Sequence, residues 1–148
     1  MTTEIAAVVV APDSLLGDQY RRALERGAQT RVAAGPVHLD EATRLLAENA
    51  AEAALLVMRT PRPEEAFDAV RTLKGATARV GVVVITDAYD HRLAELLSST
   101  RTGGWGYLPA DSLEDVESLE AALRATADGL VVLDQRSTRA APAAVQQL

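Results

Sequence analysis

Side chains able to do covalent or acid–base chemistry are scarce in this chain of 148 residues. There is no cysteine, which removes disulfides, thiolate metal sites and thiol nucleophiles, and there are only two histidines, His38 and His91. Each stands alone, without an Asp-x-His or Glu-x-x-His context, so no metal site is expected and triad chemistry has few candidates. What remains is a scatter of acids and hydroxyls in short loops: Asp13 and Ser14, Thr60, Thr86 and Asp87, and Asp111. Carboxylates brought together by a fold can hold a hard divalent cation or attack phosphorus. The chain has 14 arginines but a single lysine, Lys74, so any chemistry that needs an ammonium has one candidate.

The elements that must position these residues alternate. Strand-like runs at 5–11, 30–35, 53–57, 80–86 and 106–108 are separated by stretches with helical spacing of apolar residues. Leu16, Tyr20, Ala23 and Leu24 share one face, as do Ala42, Leu45 and Leu46, then Ala66, Val70 and Leu73, then Leu93, Leu96 and Leu97. The first and fourth runs are continuously apolar, as central strands of a sheet covered on both faces are. The fifth helix carries Leu113, Val116, Leu119, Leu123 and Ala127 on one stripe, with Asp111 or Ser112 placed to cap it and Gly129 to stop it. The pattern predicts an α/β domain with a five-stranded parallel sheet, doubly wound, in the flavodoxin-like order 2-1-3-4-5 over residues 1–134. Residues 135–148 read as a linker or tail. In such a fold the site lies at the carboxyl ends of the strands: Pro12 to Ser14, Val57 to Thr60, Thr86 and Asp87, and Pro109 to Asp111.

A formal charge of −6 argues against this segment gripping nucleic acid itself, since phosphate neutralisation needs clustered cations. No apolar run reaches the length of a membrane span, and the start Met1-Thr2-Thr3-Glu4 lacks the basic region of a secretory signal, so a cytoplasmic protein is expected.

Four segments in order carry a family likeness. They are Val9-Val10-Ala11-Pro12-Asp13-Ser14-Leu15-Leu16, Leu55-Leu56-Val57-Met58-Arg59-Thr60-Pro61, Gly106-Tyr107-Leu108-Pro109-Ala110-Asp111, and Gly129 with Val132-Leu133-Asp134. They resemble the patterns V-x-x-E-D-S-x-L-L, L-L-D-x-R-M-P, G-Y-L-x-K-D and A-x-G-x-x-V-L-D of response-regulator receiver domains. The likeness is to the NarL/FixJ, or LuxR-type, group common in actinobacteria, and it spans residues 5–134. The resemblance implies a phosphoryl-accepting aspartate after the third strand, two acids after the first to help hold Mg²⁺, a hydroxyl after the fourth and a lysine after the fifth. This chain has Val57, Pro12 with Asp13, Thr86 and Ala110 at those places, with Tyr107 at the aromatic switch position. Valine has no atom that can attack phosphorus, and one carboxylate is a poor Mg²⁺ site. The expectation is therefore a degenerate phosphorylation site (Pro12, Asp13, Val57, Thr86, Ala110), with no catalytic residue, no cofactor and no metal, in a phosphorylation-independent pseudo-receiver.

Each of these residues also has a plainer structural role. Asp13 can cap the first helix or pair with Arg59; Thr86 and Tyr107 can move as a switch or stay packed; Trp105 can be a half-buried loop residue or an exposed anchor. Two functions follow. One is a module that regulates a DNA-binding transcription factor through dimerisation, ligand sensing or both, with DNA contacted through a separate C-terminal domain and a homodimer formed through Arg21, Arg22 and Arg26 of the first helix against Leu113, Glu117 and Ala121 of the fifth. The alternative is a stand-alone protein-interaction or metabolite-binding domain, with a small uncharged ligand held by Pro12, Asp13, Val57, Arg59, Thr86 and Ala110. A flavin enzyme is the weakest reading, because the loop Ala11 to Leu16 offers one hydroxyl and an unwelcome carboxylate to a phosphate.

Overall fold

The computed structural model describes residues 4–77, 79–100 and 102–133, with the side chains of Asp111 and Ser112 left aside. The elements run β1 (Ile5–Val10), α1 (Ser14–Arg26), β2 (Thr30–Val37), α2 (Leu39–Ala47), β3 (Ala53–Met58), α3 (Pro63–Ala76), β4 (Gly81–Thr86) and α4 (His91–Ser99). They continue with β5 (Trp105–Pro109), a 3₁₀ turn (Ala110–Glu114), α5 (Val116–Ala127) and β6 (Val131–Leu133). All strand pairs are parallel, in the order β2-β1-β3-β4-β5-β6. The predicted order of the first five strands holds, but the sheet has six strands rather than five.

The sixth strand is hidden in the sequence because three residues are too short a run to show a period. Its position is set by tertiary pairing, Trp105 with Val131 and Tyr107 with Leu133. It is aimed there by the end of α5, where Gly129 has φ +92°. Gly129 N–H donates to Thr126 O at 3.0 Å and Leu130 N–H to Ala125 O at 3.0 Å, the reversal that glycine allows at a helix end.

The sheet separates two cores. Ile5, Ala7, Val9, Leu55, Val57, Val83, Ile85 and Leu108 face α1 and α5, where Tyr20, Leu24, Leu119 and Leu123 cover them. Val8, Val10, Leu56, Val82, Val84 and Tyr107 face α2, α3 and α4. The continuous apolar reading of β1 and β4 has this cause: every residue of both strands is buried, whichever side it faces.

Two local expectations change. The cap of α5 is Asp115, whose carboxylate accepts from Ser118 N–H at 3.1 Å, because the 3₁₀ turn consumes residues 110–114 before the helix begins. Trp105 is neither half-buried nor an anchor; it is 4 % exposed and starts β5. Asp134 and the tail 135–148 lie outside the described residues.

Candidate functional site

The carboxyl ends of β1, β3, β4 and β5 bring Asp13, Arg59, Thr86 and Ala110 to one end of the sheet, and there the polar groups are already committed to one another. Asp13 precedes α1 in an extended conformation that turns its side chain back on the helix. One oxygen accepts from Leu15 N–H at 3.0 Å and Leu16 N–H at 3.1 Å, satisfying donors that a helix start leaves open. The other accepts from Arg59 Nε at 2.7 Å. Arg59 also stands 4.0 Å from Asp87, whose backbone N–H donates to Arg59 O at 2.9 Å, so the loops after β3 and β4 are tied. The guanidinium first, and the Leu16 N–H next, hold the Asp13 carboxyl below its ordinary value. Asp13 thus takes both of the structural roles open to it.

Val57 is 1 % exposed, packed on the α1/α5 side of the sheet. Ala110 opens the 3₁₀ turn, and its carbonyl accepts from Tyr20 Oη at 2.8 Å. Sequence reasoning missed that bond, which joins α1 to the place where an active receiver would carry lysine; a tyrosine on the buried face of the first helix was its only signal. Lys74 cannot substitute, because it lies at the other end of the sheet, bound to Val80 O and Gly104 O.

Thr86 and Tyr107 form one buried network. Thr86 Oγ1 donates to Ala88 O at 2.7 Å and is 2.7 Å from Tyr107 Oη. With the threonine proton used on Ala88, the tyrosine hydroxyl donates to Thr86 and accepts from Asp90 N–H at 3.0 Å. Burial is the main cause that raises the Tyr107 phenol above its usual value, although these bonds oppose it. Asp90 caps α4, accepting from Arg92 N–H at 2.9 Å, so the hydroxyl pair anchors that helix start to β4 and β5. Tyr89 stacks on Tyr107 with centroids 5.2 Å apart, and His91 meets Tyr89 edge-on at 4.9 Å.

The six residues expected to share a ligand pocket do not line one together. Arg59 and Thr86 border a shallow recess of about 270 Å³ with Thr60, Tyr89 and His91. Pro12 borders a different groove, with His38 and Arg62. The physical reason is that Asp13 and Arg59 close on each other while Val57 is covered. Among the described residues no group of three His, Asp or Glu is placed to hold a metal ion, and no helix is long and apolar enough to cross a membrane.

The predicted dimer residues separate similarly. Arg21 pairs with Asp18 at 2.5 Å and Glu25 at 2.9 Å, and Arg22 with Asp18 at 2.8 Å, so these two cations are compensated within α1 by acids that a reading of basic residues alone passes over. Leu113 is half-buried against the α1/α5 core. Arg26, Glu117 and Ala121 do share a groove, with Gln29 and Arg124. Glu120, on the same helix, is 5 % exposed and accepts from Gln29 N–H at 3.0 Å.

No protein-family model and no curated protein matches this sequence. Solved structures do match. A LuxR-family two-component response regulator from Aurantimonas sp. superposes with a TM-score of 0.70 at 18% identity, over 99% of this chain and 100% of that one. The fold is that of a receiver domain. The isolated receiver domain of RcsB from Salmonella enterica, solved with a beryllofluoride phosphomimetic, gives 0.69 at 12% identity, covering 93% of this chain and 98% of that chain. The signal receiver domain of NarL from Mycobacterium tuberculosis gives 0.58 at 21% identity, covering 81% and 97%. In this receiver fold β6 extends the sheet beyond β5.

Proposed function

We propose that this chain is an atypical receiver module that works without phosphorylation and regulates transcription through self-association, with DNA contacted by a separate domain. The observation that carries the proposal is Val57, a buried side chain with no nucleophile at the end of β3, where the resemblance calls for the phosphoryl acceptor. The surroundings support it. The remaining acid after β1 is used as a helix cap and as the partner of Arg59, and Ala110 supplies no cation. The Thr86–Tyr107 pair is fixed by bonds at both hydroxyls, which favours one resting conformation over a phosphoryl-driven alternation.

Self-association is proposed through the groove formed by Arg26, Glu117 and Ala121, because Arg21 and Arg22 already have partners. Exposed cross-interface ion pairs contribute about 0.2–1 kcal/mol each, so they set register while apolar contact sets affinity. The test is to incubate the protein with acetyl phosphate or beryllofluoride and Mg²⁺, then read intact mass and sedimentation. The expected result is no adduct and a dimer whose fraction is unchanged by either donor. A stoichiometric Mg²⁺-dependent adduct overturns phosphorylation independence, and a strict monomer at tens of micromolar overturns self-association.

A further inference from the structure

At the end of the sheet opposite the strand termini just described, a cleft of about 990 Å³ opens between α3 and the last turns of α4 and α5, below the starts of β4 and β5. Its apolar walls are Phe67, Val70, Leu97 and Trp105, and its size falls at the upper end of small-molecule sites. Arg71, Lys74 and Arg79 line it, with Asp128 as the one carboxylate among its described lining residues.

The described arginines divide into those with a carboxylate within 4.0 Å and those, such as Arg26, Arg31 and Arg62, with none among the described residues; what sets Arg71, Lys74 and Arg79 apart is that all three line one apolar cleft. Arg21, Arg22, Arg44, Arg59 and Arg92 each have a carboxylate within 4.0 Å. None of Arg71, Lys74 and Arg79 has one among the described residues, and Arg71 instead lies 5.9 Å from the Phe67 ring centroid. Lys74 is the sharper case. Its half-buried ammonium donates to Val80 O at 2.9 Å and Gly104 O at 3.1 Å, which uses two of three donors and supplies no countercharge. Holding an ammonium away from water without an anion is costly, and burial lowers its proton affinity. In a chain of net charge −6, three cations around an apolar cleft that holds one carboxylate among its described lining residues are a complement to something negative.

We propose that this cleft binds a small amphipathic anion, with an aromatic or aliphatic body against Phe67, Leu97 and Trp105 and its anionic group facing Lys74, Arg71 and Arg79. The site is independent of the carboxyl-end residues, and its presence does not depend on whether the chain is phosphorylated. Trp105 is the sole tryptophan of the sequence, so its emission reports on the cleft directly.

The experiment titrates the whole chain with 1-anilinonaphthalene-8-sulfonate and with N-phenyl-1-naphthylamine, which has the same apolar body and no charge, reading quenching of Trp105 and probe emission. Saturable one-site binding of the sulfonate is expected, with the neutral probe about tenfold weaker or more. Arg71→Glu with Arg79→Glu should weaken the sulfonate about tenfold and leave the neutral probe unchanged. Lys74→Met, which keeps the aliphatic stem, should act in the same direction. Near-UV circular dichroism of each variant establishes that it is folded, and the exposed arginine pair keeps the test open if Lys74→Met does not fold. Equal affinity for the two probes, sulfonate binding untouched by the arginine reversals, or no Trp105 quenching at saturation would each overturn the proposal.

Discussion

The two ends of the sheet treat charge in opposite ways. At the carboxyl end Asp13, Arg59 and Asp87 pair with one another and Thr86, Tyr107 and Asp90 satisfy one another, so the polar groups of that end are already engaged. At the amino end Arg71, Lys74 and Arg79 surround apolar walls, and none of the three has a carboxylate within ion-pair distance among the described residues. The contrast teaches that the place where a fold usually keeps its site and the place where a given chain leaves its charges unbalanced are separate questions, the first answered by topology and the second by side chains.

The strongest way to break the comparison is to put a charge into the carboxyl end. Val57→Asp places a carboxylate where the wild-type side chain is 1 % exposed, among Val9, Leu55 and Ile85. Urea unfolding at pH 7 should show a loss of about 3–5 kcal/mol, the cost of an uncompensated buried charge. No phosphoryl uptake should accompany it; a stable, phosphorylated variant would show that this end is more open than its hydrogen bonds indicate.

Tyr107→Phe probes the hydroxyl network with less disruption. It leaves Asp90 N–H without its acceptor and Thr86 without a donor, so a loss of about 1–3 kcal/mol is expected, together with faster hydrogen exchange at the start of α4. Wild-type stability with unchanged α4 exchange would sink the view that this pair fixes the helix.

The Asp13–Arg59 pair predicts a pH dependence. The folded carboxyl titrates below its ordinary value of 3.8, so its contribution is present above that pH and is lost as pH falls through the depressed value. Asp13→Asn retains a helix-capping oxygen but removes the ion pair, and its stability should therefore fall less steeply than that of the wild type as the pH is lowered below the ordinary carboxyl value of 3.8. Parallel curves would mean that the pair contributes nothing.

The smallest effect belongs to the amino end. Arg71→Glu and Arg79→Glu alter exposed side chains that have no ion-pair partner among the described residues, and each should change unfolding stability by no more than about 0.5 kcal/mol. A larger loss would make these arginines structural and would remove the contrast between the two ends.

Much of the scaffold was legible because burial on both faces of β1 and β4 leaves an unbroken apolar signal, and each helix shows its stripe. That valine stands at position 57, where the resemblance implies an aspartate, was legible too, and the structure places this side chain buried near the end of β3. What sequence could not show depends on long-range closure. Tyr20 reaches Ala110 O across 90 positions, and Glu120 reaches Gln29 N–H across 91. The carbonyls that hold Lys74 lie 6 and 30 positions away. The pairing of Arg21 and Arg22 with Asp18 was within local reach, at helical spacings of three and four, and was missed by reading one sign of charge without the other.

The sixth strand bears on where this chain can be cut. β6 covers the hydrogen-bonding edge of β5, and the approach at Gly106 is close: a Cβ there would stand 3.2 Å from Val132 O and 3.3 Å from Thr126 Cγ2, a tight contact that glycine avoids. A version ending at Gly129 would keep all five helices yet uncover the Trp105–Pro109 edge, a template for pairing with other chains. Solubility on truncation should therefore fall between Leu133 and Gly129, setting the practical boundary of the folded unit beyond the last helix.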